Sequence, residues 1–165
     1  TVAVADCMNL PLRTSSCDAA ISIALMHHLS TPRRRRRCIE ELVRIVKDGG
    51  LVNVQAWSID QEDSSRHRFA ANDVFVPFNA QPKYLTINGK AINKSSGGNS
   101  TAQVYAEAHN AEFDDNKGLV VFQRYCHLYR KGELDEIALQ VPGVSIVESG
   151  FESGNYFIIF QVHKE

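Results

Sequence analysis

Residues 18–28, DAAISIALMHH, decide the fold. Within them Ala19–Leu25 is a short apolar run, β-branched at Ile21 and Ile23, that gives way to His27-His28. A second run, Val2–Ala5, gives way in the same manner to Asp6. Short apolar runs bounded by turn formers read as buried parallel strands. The carboxyl ends of such strands are where α/β folds put their ligands, so Asp6, His27 and His28 mark a cleft. The glycine-rich phosphate or cofactor loop that should come earlier is not in this sequence. The expectation is a nucleotide-cofactor sheet with its first strands missing.

Outward from that stretch, strand and helix alternate. Ser30-Thr31-Pro32 offers a hydroxyl cap and a first-turn proline. A helix over 32–47 then sets Cys38, Leu42 and Ile45 on one stripe, with Ile39, Val43 and Val46 beside it. Gly49-Gly50 ends it, and Leu51–Trp57 reads as the next strand. Strand 19–25, helix 32–47 and strand 51–57 form a βαβ crossover, right-handed by the general rule. A second helix is expected near Lys131–Leu139. After Pro142-Gly143, strands at about 144–151 and 156–163 are joined by four residues, which forces an antiparallel hairpin.

Residues 58–118 behave as a long insertion. Ser64-Ser65 and Ser95–Ser100 are linker-like, and the segment is too long for a plain connection. Within it, Asn72–Phe78 is an apolar island. The whole of residues 1–165 reads as one partial domain: with 44% hydrophobic and 22% charged residues, it carries enough for an ordinary core.

A net charge of −1 gives no bulk attraction to nucleic acid, so any basic surface is local. No apolar run approaches the ~18–20 residues that cross a bilayer, and no signal peptide is visible. Cys7, Cys17, Cys38 and Cys126 are scattered without metal-ligand spacing and read as reduced thiols of a cytoplasmic protein. Adjacent histidines on a strand point apart, so no metal site is expected at His27-His28.

Five stretches carry a resemblance: ISIALMHHLS, VQAWSIDQE, NDVFVPF, YCHLYRKGELDEIA and SGNYFIIFQVHK. With the strand-end Asp6, Leu10-Pro11 and Asp18, they resemble the class I S-adenosylmethionine-dependent methyltransferases. Within that group the five stretches together resemble the eukaryotic tRNA wobble-uridine enzymes that esterify 5-carboxymethyluridine. It implies a Rossmann-like sheet, mostly parallel, with a C-terminal antiparallel hairpin. It also implies S-adenosylmethionine as cofactor, the tRNA anticodon loop as substrate, and a small zinc-binding activator as heterodimer partner. That activator would add a strand beside the edge strand 1–5, with the zinc in the partner. Alternatives are another activator-dependent methyltransferase acting on rRNA or protein, or a silent binding protein with this fold. Without the glycine-rich loop, residues 1–165 alone are expected to be inactive.

The resemblance assigns roles residue by residue. Asp6 would accept from the adenine amino group, since a carboxylate only accepts and the amine only donates; the plainer role is a turn cap. Amides at Cys7 or Met8 would read the ring edge. His27 and His28 would flank the methyl donor, His28 facing the pocket. The acceptor carboxylate is ionised at neutral pH, so the reaction asks for positioning and desolvation and no base. Arg124 is the candidate fork for that carboxylate, or an edge-strand or tRNA-phosphate contact, with Tyr125 next to it; Asn155, at the turn into the last strand, would reach a base edge or simply serve the turn. Trp57 would stack on the flipped base, or pack in the core. Arg33, Arg34, Arg36 and Arg37 oppose the helix dipole at a helix start, a conflict that tRNA phosphates would relieve; pairing with Glu40 and Glu41 is the alternative.

Overall fold

Strand β1 (Cys17–Ile23) pairs in parallel with β2 (Val46–Trp57), and helix α1 (Pro32–Ile45) connects them. The structure is a computed structural model that describes residues 2–62, 68–87, 90–92 and 98–164. Thr31 Oγ1 caps α1 by accepting from the Arg34 N–H at 3.3 Å, and Pro32 opens the first turn. The register runs from Ala19 opposite Leu51 to Ile23 opposite Gln55. Gly50 allows β2 to pass close to its surroundings: a Cβ there would lie 2.5 Å from Val46 Cγ1 and 2.6 Å from the Asp18 carbonyl oxygen.

Strand β9 (Asn155–Val162) adds to β2 antiparallel, and β8 (Val144–Glu152) adds to β9 antiparallel, giving the order β1-β2-β9-β8. Three strands therefore run one way and only β9 is reversed, as a mixed sheet with a terminal hairpin requires. The second expected helix is short: α3 (Glu133–Ala138) starts after Gly132, whose φ of +81° suits glycine. The predicted stripe is buried in full, Cys38, Ile39, Leu42, Val43 and Ile45 on α1 and Val46 at the start of β2, which begins five residues before the expected Leu51. It lies in one cluster with Val52, Val54 and Ala56 of β2 and Ile158 and Phe160 of β9. Each such aliphatic side chain contributes roughly 1.5–3 kcal/mol of burial.

Val2–Ala5 differs from the expectation of a strand. The segment is exposed, Val2 and Val4 completely, and it pairs with no strand among the described residues. A strand exists only with a hydrogen-bonded neighbour.

The chain divides into two compact units, Thr1–Val74 with Cys126–Glu165, and Phe75–Tyr125. The second unit holds most of a three-stranded sheet, β3 (Asp73–Ala80), β7 (Leu119–His127) and β6 (Glu112–Asp114), in the order β3-β7-β6. A two-stranded ribbon, β4 (Thr86–Ile87) and β5 (Lys90–Ala91), and helix α2 (Gly98–Ala108) complete it around Ile92, Ala102, Ala106 and Val120. The apolar island at Asn72–Phe78 is thus largely β3. Of the linker-like stretches, Ser64-Ser65 and Ser95–Gly97 lie outside the described residues, whereas Gly98-Asn99-Ser100 opens α2. No helix among the described residues is long and apolar enough to cross a membrane.

Candidate functional site

The strand expected to run to Leu25 stops at Ile23. Ala24 donates its N–H to the Gln55 carbonyl at 3.2 Å, then turns left-handed at φ +56°, and Met26–His28 forms a 3-10 turn. Buried Met26 is the anchor, its carbonyl taking the Tyr129 hydroxyl at 3.2 Å. Successive residues of a 3-10 turn are separated by about 120°, against 180° on a strand. The two histidine rings therefore do not diverge as expected; their centroids are 4.3 Å apart.

His27 is buried and stacks on Trp57 at 5.1 Å, and its Nδ1 accepts from the Trp57 N–H at 3.4 Å. His28 is exposed, with Nδ1 3.8 Å from Sγ of buried Cys126. Half-buried Trp57 also meets the Phe69 ring at 6.3 Å. Asn155 sits opposite Trp57 in the β2–β9 register, and its Nδ2 donates to the Ser153 carbonyl at 2.9 Å. That turn is held from outside by Gln61, whose Nε2 donates to the Ser58 carbonyl at 2.6 Å and the Gly154 carbonyl at 3.1 Å. The carboxyl ends of both parallel strands thus converge on His27, His28 and Trp57, the end at which such sheets bind ligands.

The Asp6–Met8 loop is a second element of the same unit. Asp6 is exposed, and its Oδ1 accepts from the Met8 N–H at 2.9 Å, so the carboxylate caps its own turn. Half-buried Cys7 hydrogen-bonds the Cys38 thiol, which burial pushes up to about 12. None of the four cysteines forms a disulfide. What ties this loop to α1 is Glu41, a residue the sequence did not single out for that purpose. Its buried carboxylate accepts from Arg44 at 2.8 and 2.9 Å, Arg37 at 2.8 Å and the Leu10 N–H at 2.9 Å. The Arg44 guanidinium, then burial working against it, leaves the Glu41 pKa below its ordinary value. Arg44 and Arg37 also donate to carbonyls of Met8, Leu10 and Leu12.

The arginine run is divided in role. Arg35 is buried and donates to the Leu29 carbonyl at 3.0 Å, whereas Arg36 pairs with Glu40 at 2.9 Å. Arg33, Arg34, Arg36 and Arg37 line, with Met8 and Glu40, a surface cavity of about 550 Å³. Among the described residues Arg33 has no ion pair.

Arg124 and Tyr125 belong to the second unit. The Arg124 guanidinium lies 5.3 Å over the Phe78 ring, its buried Nε without a hydrogen-bond partner among the described residues. The Tyr125 ring meets Phe75 edge-on at 6.1 Å. Sequence reading also passed over His127. Its Nε2 is 2.7 Å from Glu133 and its Nδ1 2.9 Å from Asp73, so one buried imidazole bridges two carboxylates. Six and 54 residues separate these partners from His127, which is why no local motif announced them.

The methyltransferase domain pattern matches residues 1–54. The tRNA (carboxymethyluridine(34)-5-O)-methyltransferase of Saccharomyces cerevisiae is 30% identical over 187 residues, covering 96% of this chain and 67% of its own length. The chain belongs to the tRNA carboxymethyluridine methyltransferase family. The Schizosaccharomyces pombe member is 30% identical over 158 residues and covers 94% of this chain. This chain spans 61% of the length of that relative. Among solved structures, a chain from the complex between the Haloferax volcanii Trm112 methyltransferase activator and a methyltransferase aligns over 99% of this chain and 61% of its own. Its TM-score is 0.52 at 11% identity, a likeness of fold. These likenesses agree with the class I methyltransferase fold of the mixed sheet.

Proposed function

We propose that this chain is part of the catalytic subunit of an S-adenosylmethionine-dependent enzyme that methylates the carboxylate of 5-carboxymethyluridine at the tRNA wobble position, in the cytoplasm. Family membership combined with the polar ends of β1 and β2 carries the reading: His27, His28 and Trp57 meet where the fold binds ligands. The residues present fit one end of the cofactor. Asp6 offers an exposed carboxylate, an acceptor for an adenine amine, on a loop that Glu41, Arg37 and Arg44 hold against α1. S-adenosylmethionine, when bound, supplies an electrophilic methyl group.

The chain's own task is then to position a carboxylate and exclude water, since the acceptor is already ionised near ~4 and no proton must be removed. Trp57 presents an aromatic face for a flipped base. Asn155, opposite Trp57 in the β2–β9 register, is a proposed base contact; the carboxylate and base roles of Arg124 and Tyr125 rest on the family resemblance alone. Arg33, Arg34, Arg36 and Arg37 form the phosphate-binding surface, which supplies affinity and no sequence choice.

The partner in this reading is a small zinc-binding activator. Val2–Ala5 is apolar and exposed, and a strand from the activator would supply the hydrogen-bonded neighbour that these residues lack. A proline within Val2–Ala5 is expected to abolish co-purification of the full-length protein with the activator, and unchanged co-purification would sink this interface. The function is tested by incubating full-length protein, activator and methyl donor with tRNA carrying 5-carboxymethyluridine. The expected product is the methyl ester; a folded, complete complex that leaves the carboxylate free overturns the assignment.

A further inference from the structure

We infer that His27, His28 and Cys126 form a Zn²⁺ site, built by the 3-10 turn after β1 and the last residues of β7. One ligand atom from each residue lies within 4.8 Å of the other two. Zinc bond lengths of about 2.3 Å to sulfur and about 2.0–2.1 Å to nitrogen place tetrahedral ligands roughly 3.3–3.6 Å apart. Closing the site therefore asks for a movement of about 1 Å, and the Cys126 Sγ to His28 Nδ1 distance is already 3.8 Å.

The donor set selects the ion. Two imidazoles and a thiolate suit zinc, whereas calcium and magnesium take oxygen ligands. Three protein ligands leave one tetrahedral position open, the arrangement of a zinc site that accepts water or a further ligand. The surroundings are rigid where a metal site needs them to be: Cys126 and His27 are buried, Trp57 stacks on the His27 ring, and Tyr129 pins the turn through Met26. Exposed His28 supplies the entry path. Binding balances simply: the Cys126 S–H bond breaks, an S–Zn bond forms, and one proton leaves to solvent. The expectation of no metal rested on two histidines diverging along a strand and on the lack of partners at ligand spacing; the 3-10 turn removes the first premise, and the fold brings in Cys126 from 98 residues away. The site stands independently of the methyl-transfer reading, because ion binding is measured without turnover.

The test is titration of the full-length protein with Co²⁺, followed by competition with Zn²⁺; differences between variants cancel any metal held elsewhere. The expected result is a thiolate-to-cobalt charge-transfer band that one equivalent of Zn²⁺ removes. Cys126→Ser should abolish the band, and His28→Ala should weaken Zn²⁺ binding by about 10-fold or more. Cys7→Ser, which touches the other thiol pair, should leave the band intact. A folded wild type with no band overturns the site, as does a band that survives Cys126→Ser or vanishes in Cys7→Ser. If Cys126→Ser fails to fold, the exposed His28→Ala variant decides: unchanged Zn²⁺ affinity rejects the proposal.

Discussion

Glu41 and His127 are both buried, both bridge two charged partners, and both tie distant stretches of chain together, yet they differ in what holds their charge. Glu41 gathers two arginines and a backbone amide, none of which changes protonation near neutrality. His127 gathers two carboxylates, and its own proton is the bond. The first network fastens the Asp6–Met8 loop region to α1; the second fastens Asp73 and α3 to the end of β7. One is a fixed tie and the other is a conditional tie.

The largest expected effect breaks the fixed tie. Glu41→Ala removes a fully buried carboxylate and leaves Arg37, Arg44 and the Leu10 N–H to find water. Losing one partner of a fully buried pair costs about 3–5 kcal/mol, and the partial exposure of both arginines brings this to about 2–3 kcal/mol. Urea unfolding should show that loss, equal at pH 6 and pH 8. A cost under about 0.5 kcal/mol, typical of an ordinary surface change, would remove Glu41 as the anchor.

His127→Phe keeps a ring against Tyr129, 4.9 Å away, and deletes both carboxylate bonds. Below pH ~6.5, where the imidazole is charged in both states, about 2 kcal/mol should be lost. Burial lowers the His127 pKa, but the hydrogen bonds that its imidazole donates to Glu133 and Asp73 outweigh it and leave the value above the ordinary one. A raised folded pKa means stabilisation that is complete below ~6.5 and lost as pH rises through the folded value. Glu133 behaves in the opposite sense. Burial raises its pKa, the His127 bond outweighs that, and the net lowering gives stability above ~4.3 that is lost as pH falls. Wild-type unfolding midpoints should therefore decline from pH 6 upward, and His127→Phe should flatten the decline. A decline of equal slope in the variant would show that His127 is not its source.

A smaller effect tests how the histidine turn is held. Tyr129→Phe removes one buried hydrogen bond to the Met26 carbonyl, worth about 1 kcal/mol. The loss should be the same from pH 6 to 8 and additive with Glu41→Ala, because no partner is shared between them. Non-additivity in a double-mutant cycle would join the turn to the loop network.

These contrasts mark the limit of what sequence pattern carries. The α1 stripe was legible because helical periodicity at Cys38, Leu42 and Ile45 maps directly onto burial. The terminal hairpin was legible because a four-residue joint permits little else. The histidine turn was not, since Ala24 adopts φ +56° without the glycine that usually announces such a conformation. Glu41 read as one more surface acid beside an arginine run, and its burial goes with a contact 31 residues away at Leu10, where Arg44 also donates. Val2–Ala5 carried a strand's composition without a strand's neighbour.

The smallest expected effect on stability separates the arginines themselves. Arg36 and Arg37 are engaged with Glu40 and Glu41, Arg35 is buried, and Arg33 has no ion pair among the described residues. Arg33→Ala should therefore change unfolding free energy by less than about 0.5 kcal/mol. It still removes a cation from the cavity that it shares with Met8 and Arg34. If tRNA phosphate occupies that cavity, each lost contact lowers the slope of log affinity against log salt by roughly one, whatever the tRNA sequence. Arg36→Ala would combine the same binding loss with a break in its Glu40 pair, whereas Arg33→Ala divides the two effects cleanly. Filter binding of tRNA across a salt series, using full-length protein with its activator, measures the slope. An unchanged slope in Arg33→Ala would assign the arginine run to internal pairing with Glu40 and Glu41, and the phosphate surface would have to lie elsewhere.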